Sequence, residues 1–359
     1  MDRRNVRRGH DGRGATGMTE RPTSFDIAQL AGVSQPTVSR ALRGSPKVSE
    51  PTRRRIQAIA QELGYAVDKN ASNLRSQHSN TLALLLFEDP SPDHSSINPF
   101  FLSMLGSITR NCVIRGYDLL VSFQELSSNW HHSYQFSGRA DGIILLGYGD
   151  YEEYRWRLDE LVRNRTRFVR WGSVQEGQPG LTVGCDNVCG GRDITAHLLA
   201  QGRRRLAFLG TASAGAPEFL DRYRGHGDAL SGAGLAPSPD LQRDSVSSEE
   251  AGYAAAMALI DSGRSFDGVT CASDLIAIGA MRALQERGLR VPEDVAVTGF
   301  DDILAAAYTH PPLTTVMQDA AAAGEALVET LVRQIHKEPA QGATLPVRTV
   351  IRRSCGAGG

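Results

Sequence analysis

The chain has 359 residues, with 39 Lys or Arg against 40 Asp or Glu, and five cysteines. This length is sufficient for two or three domains with substantial cores. No apolar run approaches the ~18 residues that a membrane span needs, and residues 1–22 lack the apolar segment of a secretory signal. Composition therefore excludes a membrane protein and predicts a cytoplasmic protein with reduced thiols.

The charge is divided unevenly along the chain. Residues 1–75 carry 14 Lys or Arg against 7 Asp or Glu, whereas the remainder carries 25 against 33. A basic end on an acidic body is typical of a nucleic-acid-binding head joined to a domain that does not bind DNA, although a solvated basic face has the same composition. Residues 1–22 are expected to form a disordered basic arm.

Residues 24–43, SFDIAQLAGVSQPTVSRALR, predict two short helices around a turn at Gly32. The second helix opens with Ser34 as its N-cap, and Val33 and Val38 are expected between the helices. The inner face of the first helix is predicted to hold Phe25, Ile27, Ala28, Leu30 and Ala31. The outward positions of the second are Gln35, Thr37, Ser39 and Arg40. This pattern favours a helix that reads the major groove over an ordinary helical hairpin.

A third helix is predicted to open at Pro51-Thr52 and to close at Gly64. Its inner face holds Ile56, Ile59, Ala60 and Leu63. Residues 53–55 are three arginines, which either meet the DNA backbone or are solvated. The polar segment that follows Tyr65 has too few apolar residues for a stable free helix.

From residue 80 onward, short apolar runs alternate with amphipathic helical patterns, which predicts doubly wound α/β layers. The predicted strands are residues 82–87, 118–123, 142–146, 168–171, 206–209, 268–272 and 295–300. From residue 80 onward no GxGxxG, GxxxxGK[ST] or HExxH sequence occurs, and no nucleophile lies on a GxSxG turn. The chain is therefore expected to have no cofactor, no metal site and no catalytic residues, and not to be an enzyme.

Segments along the chain resemble, in order, those of the LacI (lactose repressor) family of bacterial transcription regulators. They include NPFF from Asn98, VGCDNVCGG from Val183, DRYRGHGDAL from Asp221 and VPEDVAVTGFDD from Val291. Together with the helices above, the resemblance covers about residues 23–354. It implies a small all-α helix-turn-helix headpiece and an α/β periplasmic-binding-protein-like (type I) two-lobed effector domain.

The implied boundaries are a headpiece at 23–66, a hinge at 67–79, an effector domain at 80–354 and a tail at 355–359. The N-lobe would comprise about 80–198 and 318–342, and the C-lobe about 199–317 and 343–354. The end of the chain has no leucine heptads, so a homodimer that reads a near-palindromic operator is expected.

By the same resemblance, the base-reading positions are Gln35, Pro36 and Arg40, and Ser49 and Thr52 contact phosphates. Leu74 matches the hinge leucine that opens a base step in the minor groove, and Ala71 matches the small residue between paired hinge helices. Val67 and Asp68 replace the usual Pro-Asn. The full set of expected DNA contacts is Ser34, Gln35, Pro36, Thr37, Ser39, Arg40, Ser49, Thr52, Ala71 and Leu74.

The resemblance also implies an effector site between the lobes, with Arg222 and Asp301 as its principal contacts. The alternative for Arg222 and Asp301 is a structural ion pair between the lobes. The alternative for Asp186 is that it only caps a helix. Ser273 departs from the amide that is common there in sugar-responsive members. The complete set is Phe100, Trp171, Asp186, Arg222, Ser273 and Asp301.

The implied function is an operator-binding repressor of carbohydrate-utilisation genes, associated with the nucleoid and released when a small sugar binds between the lobes. The alternative is a regulator of the same family that answers to a purine, a phosphorylated metabolite or a protein partner as corepressor. The sequence does not distinguish these ligands by itself.

Overall fold

The computed structural model describes residues 22–42, 44–65, 78–87, 97–123, 128–147 and 149–357. The chain forms two units that divide between residues 76 and 77. The expected basic arm, except for residue 22, and the hinge residues Val67, Asp68, Ala71 and Leu74 lie outside the described residues. No described helix has the length and apolar character needed to cross a membrane.

The first unit contains three helices, α1 (Ser24–Ala31), α2 (Gln35–Leu42) and α3 (Glu50–Glu62). Thr23 caps α1 reciprocally: its hydroxyl accepts from the Asp26 N–H, and the Asp26 carboxylate accepts from the Thr23 N–H at 2.7 Å. Gly32 ends α1 at φ +57°, a left-handed conformation that glycine adopts without strain. The predicted turn at Gly32 is thereby confirmed.

A small core joins the three helices of this unit. It is built on the buried side chains of Ile27, Ala28, Ala31, Val38, Ala41, Val48, Ile56 and Ala60. The expected burial of Phe25 and Leu30 was wrong, because these side chains are 69% and 63% exposed. They flank the stripe of α1 that faces the other two helices, and an eight-residue helix buries only that stripe.

The second unit contains two parallel sheets, each with helices packed against it. The strand order of the first sheet is β11-β5-β4-β3-β1-β2. Its strands are β1 (Thr81–Leu86), β2 (Asp118–Phe123), β3 (Gly142–Leu146), β4 (Phe168–Trp171), β5 (Leu181–Cys185) and β11 (Ala343–Leu345). Its helices are α4 (Pro99–Ile114), α5 (Tyr151–Arg163) and α10 (Ala320–Ile335), with a π-helical turn at His131–Phe136.

The second sheet has the order β7-β6-β8-β9. Its strands are β6 (Leu206–Leu209), β7 (Gln242–Arg243), β8 (Gly268–Cys271) and β9 (Ala296–Thr298). Its helices are α6 (Asn187–Ala200), α7 (Pro217–Gly232), α8 (Glu249–Asp261) and α9 (Asp274–Glu286). An antiparallel pair, β10 (Thr315–Gln318) and β12 (Val347–Val350), completes the unit. The lobe built on the first sheet is called the N-lobe, and the lobe built on the second is called the C-lobe.

Two parts of the chain lie in the opposite lobe from the one expected. Helix α6 packs against α7 of the C-lobe, and β11 pairs with β5 of the N-lobe. The chain therefore crosses between lobes next to Asp186, before the helix and not after it. Gly191 permits this packing, since a Cβ there would lie 2.2 Å from the backbone oxygen of Arg222.

His226 is buried where α6 meets α7, with its Nδ1 3.1 Å from the Thr195 hydroxyl. Burial lowers the pKa of His226 from 6.5 to about 4.

The stability of the protein should therefore depend on pH. Because His226 binds a proton at higher pH in the unfolded chain than in the folded one, the free energy of unfolding should decrease as the pH falls from 6.5 towards about 4. Urea unfolding of the wild type and His226→Gln at several pH values measures this effect. The free energy of unfolding of the variant should change less with pH in this range than that of the wild type. Equal pH dependence in both proteins would contradict the lowered pKa of His226.

Candidate functional site

The outward surface of α2 carries the residues expected to contact DNA. Ser34, Pro36 and Arg40 are exposed, whereas Gln35, Thr37 and Ser39 are half-buried. The Gln35 amide donates to the Ser24 hydroxyl at 2.8 Å, so one of its N–H groups is held within the headpiece. Arg40 in the last turn therefore presents the longest exposed hydrogen-bonding side chain of this helix.

The start of α3 holds the two expected phosphate contacts. The hydroxyls of Ser49 and Thr52 lie 2.8 Å apart at this helix terminus, where backbone N–H groups also favour anions. Arg53 turns inwards and donates to the carbonyl oxygens of Ser45 and Val48. Arg53 therefore stabilises the loop before α3. Of the three arginines at 53–55, this one neither is fully solvated nor points away from the headpiece towards DNA.

A cavity of about 270 Å³ lies between the two lobes of the second unit. It opens beyond the carboxyl ends of β1 and β3 on one side and of β6 and β7 on the other, as expected for parallel α/β sheets. The N-lobe contributes Leu86, Phe87, Ile97, Asn98, Phe101, Gly147, Gly149 and Asp150. The C-lobe contributes Thr211, Ser213, Gly215, Ala216, Phe219, Val246 and Ser247.

None of the six residues predicted from the sequence is among those that line this cavity. Five of them are at most 4% exposed: Phe100, Trp171, Arg222, Ser273 and Asp301. Asp186 is exposed and caps α6, since its carboxylate accepts from the Cys189 N–H at 2.9 Å. Phe100 packs on Trp171, with ring centroids 5.9 Å apart. The adjacent Phe101 supplies one of the aromatic rings at the cavity.

Arg222 and Asp301 come together within the C-lobe and do not form an ion pair between the lobes. Arg222 Nη1 lies 3.8 Å from Asp301 Oδ1, and its Nε donates to Asn187 Oδ1 at 2.8 Å. The guanidinium also donates to the Ala272 carbonyl and lies 3.8 Å from the centroid of the Phe300 ring. Arg222 therefore joins α6, α7, β8 and the end of β9.

The loop after β9 is held by buried polar groups on both sides. Asp301 has φ +121° and accepts from Gln318 Nε2 at 2.6 Å. The Asp274 carboxylate accepts from the Ile303 N–H at 2.8 Å and from the Thr315 hydroxyl at 2.5 Å. Burial and the nearby charge of Asp301 raise the pKa of Asp274. The two carboxylates therefore fix the geometry of the loop after β9.

Ser273 reaches the cavity through a chain of hydrogen bonds. It caps α9, and its hydroxyl accepts from the Ser247 hydroxyl at 2.8 Å. Ser247 accepts in turn from Asn98 Nδ2 at 3.1 Å, and Asn98 caps α4 of the N-lobe. These hydrogen bonds connect the N-terminus of α4 in the N-lobe with that of α9 in the C-lobe. Asn98 and Ser247 lie at the cavity surface.

The expected set of effector contacts leaves out most of the polar lining, namely Asn98, Asp150, Ser213 and Ser247. Asn98 and Asp150 were detectable as N-cap residues that follow predicted strands, since both lie at the amino end of a helix. Ser213 and Ser247 lie in irregular segments with no periodic signal. Their position depends on how the two lobes meet.

Comparisons with known proteins agree with this architecture. Residues 25–68 match the model for bacterial regulatory proteins of the lacI family, and residues 195–355 match a periplasmic binding protein-like domain. The HTH-type transcriptional regulator CelR of Thermobifida fusca is 32% identical over 338 residues, which cover 92% of this chain and 96% of CelR. The chain belongs to the LacI family of bacterial regulatory proteins.

Two solved structures of LacI-family members extend the comparison to the fold. A CelR–cellobiose complex aligns with a TM-score of 0.69 at 29% identity, covering 93% of this chain and all of that one. The lac repressor dimer bound to operator and the anti-inducer ONPF aligns with a TM-score of 0.79 at 25% identity, covering 94% of this chain and 99% of that one.

The predicted fold class is therefore confirmed, as a helix-turn-helix headpiece with a two-lobed type I effector domain. This LacI-family protein is a DNA-binding transcription regulator.

Proposed function

We propose that this LacI-family protein represses carbohydrate-utilisation genes and releases its operator when a neutral sugar binds in the interlobe cavity. The composition of the cavity carries the proposal. The rings of Phe87, Phe101 and Phe219 offer faces for the C–H surface of a sugar, and Asn98 and Ser247 offer hydrogen bonds to hydroxyls. The solved CelR relative holds cellobiose, which supports the same ligand class here.

The charge of the cavity separates neutral sugars from phosphorylated metabolites. Among the described lining residues, Asp150 carries the only charge, and no Lys or Arg is present. A phosphate group at this site would meet a carboxylate without a compensating cation. A purine remains the second candidate, because the three aromatic rings and the Asn98 amide also suit a planar heterocycle.

The regulator is proposed to act as a homodimer on a near-palindromic operator in the cytoplasm, where the chromosome lies. Arg40 and Gln35 would read bases, and Ser49 and Thr52 would bind phosphates. Sugar binding would change the angle between lobes and separate the hinge segments of the dimer, so that Leu74 leaves the minor groove. Ala71 would pack between the paired hinges.

A thermal-shift screen with neutral sugars, sugar phosphates and purines tests the ligand class. A ligand that binds only the folded protein raises the melting temperature by mass action. We expect stabilisation by a neutral mono- or disaccharide and none by its phosphate ester. Stabilisation by purines alone would replace the sugar proposal with the second candidate.

Gly215→Ala tests whether this cavity is the effector site. A Cβ at Gly215 would lie 2.8 and 2.9 Å from the two oxygens of Asp150, which is held by capping α5. The variant should bind the sugar at least about tenfold more weakly, or about 1.4 kcal/mol, by calorimetry. Gly232→Ala in α7 is the matched control, because a Cβ there meets nothing within 4 Å. Wild-type affinity in both variants would place the effector elsewhere.

A further inference from the structure

A second contact between the lobes lies outside the cavity, at the carboxyl end of β4. There the Ser173 N–H donates to Glu218 Oε1 at 3.0 Å, and the Ser173 hydroxyl donates to Asp221 Oδ2 at 2.5 Å. Glu218 and Asp221 are three residues apart on α7, so they share one face of that helix. One N-lobe serine therefore binds two carboxylates of the C-lobe.

The environment makes these hydrogen bonds strong. Ser173 is 1% exposed, and Glu218 and Asp221 are 9% and 8% exposed. Hydrogen bonds to charged acceptors are stronger than neutral ones, and a buried carboxylate that loses its donor pays the full cost of desolvation. Opening the lobes at this point would leave both carboxylates without Ser173.

Arg170 supplies positive charge beside the same contact. It is 1% exposed, and its Nη2 donates to the Ser173 carbonyl at 3.3 Å. Arg170 Nη1 and Glu218 Oε1 both lie within 3 Å of the point where a Gly172 Cβ would stand, so glycine lets them approach. Asp221 is also paired with Arg224 at 2.7 Å. Arg170 thus brings a positive charge of the N-lobe close to Glu218, whereas the Asp221–Arg224 pair lies within α7.

The lobes also meet at the cavity, where the Tyr151 N–H donates to the Gly215 carbonyl at 2.8 Å. Ser173, Glu218 and Asp221 are not among the residues that line that cavity. Among the described residues, hydrogen bonds therefore join the lobes at two separate places, at the cavity, where Asn98 also donates to Ser247, and at Ser173. If the lobes open as rigid bodies, the two contacts must break together.

We propose that Ser173, Glu218 and Asp221 form an interlobe clasp that sets effector affinity from outside the cavity by stabilising the closed arrangement of the lobes. The apparent affinity of a ligand that binds only the closed arrangement is its intrinsic affinity multiplied by the fraction of protein that is closed. The effect on affinity rests on the proposed function, whereas the effect on lobe opening does not.

Hydrogen exchange of the full-length protein tests the clasp without any ligand, because both contacts use a backbone N–H. Glu218→Ala removes the acceptor of the Ser173 N–H, and exchange at Ser173 should rise about tenfold or more. Exchange at Tyr151, which keeps its own acceptor, should rise by a similar factor because the lobes open together. Glu218→Gln retains an acceptor oxygen and should restore most of the protection at both sites.

The controls separate lobe opening from general destabilisation. Glu250→Ala alters an exposed glutamate in the first turn of α8 and should change neither exchange rate. The Ala272 N–H donates to Leu209 within the C-lobe and should stay protected in every variant. Weaker protection of Ala272 in Glu218→Ala would indicate general destabilisation, and Ser173→Ala should then be measured in its place. Ser173→Ala keeps the backbone donor and removes only the hydrogen bond to Asp221.

Faster exchange at Ser173 with unchanged exchange at Tyr151 would show that only a local hydrogen bond was lost and would overturn the clasp.

Titration with an effector is the second test of the clasp. Ser173→Ala should weaken, several-fold, the binding of a sugar found in the screen. Failure of every sugar to bind would contradict the proposed function and leave the exchange result intact. Unchanged sugar affinity with coupled exchange would overturn the effect on effector affinity alone.

Discussion

Asp301→Ala should lower the free energy of unfolding of the effector domain by about 3–5 kcal/mol, the cost of leaving one partner of a buried ion pair uncompensated. Arg222 is 1% exposed and lies 3.8 Å from the Asp301 carboxylate, so its charge would lose the nearest carboxylate. Gln318 would lose an acceptor at the same time. Denaturant unfolding of the purified protein measures the loss, together with the loss of any sugar response.

Two further variants test the cause of this loss. Asp301→Asn keeps the size of the side chain, tolerates positive φ and preserves an acceptor for Gln318, so it isolates the missing charge. It should fall between the wild type and the alanine variant. Asp228→Ala alters an exposed aspartate of α7 and should leave stability unchanged. An unfolding midpoint of Asp301→Ala equal to that of the wild type would refute the structural role of the pair.

Arg40→Ala should remove most of the preference for operator over random DNA, at a cost of about 1–3 kcal/mol in discrimination. Arg40 is exposed in the last turn of α2, and a guanidinium is able to form two hydrogen bonds with one guanine. Binding to operator and to scrambled DNA at fixed salt measures the change. Sugar binding by the effector domain should be unaffected.

Arg54→Ala is the matched control for Arg40, because it removes an exposed arginine from α3 of the same headpiece. It should weaken binding to all sequences equally and reduce the dependence on salt, as expected for a phosphate contact. A wild-type ratio of operator to random affinity in Arg40→Ala would mean that other side chains read the bases.

Strands whose bounds were predicted correctly come from clear apolar runs. These runs either are buried on both faces of the sheet or lie at its edge next to clear turn residues. Residues 118–123, 142–146, 168–171 and 206–209 form strands with the predicted bounds. Strands β5, β7, β10, β11 and β12 were missed. Strands β7 and β11 have only two and three residues, and β11 exists because Ala343–Leu345 pairs with a strand 160 positions earlier. Such pairing has no local signal.

The candidate site was predicted less completely than the fold, for a geometric reason. Strand ends indicate which loops surround the cleft, but not which side chains turn towards it. Phe100 and Phe101 are neighbours on α4, and a rotation of about 100° per residue places one in the core and the other at the cavity. Arg222 and Asp301 do lie together, but the pair is within the C-lobe and not between the lobes, and neither residue lines the cavity.

The central claim is that a neutral sugar controls operator binding through the interlobe cavity. Its most direct test is the affinity of the purified protein for its own upstream DNA, with and without a panel of neutral sugars and their phosphate esters. We predict that one neutral sugar releases the DNA and that its phosphate ester does not. Tighter binding with sugar would reverse the sign of the regulation, and a response to purines or phosphorylated metabolites alone would contradict the claim.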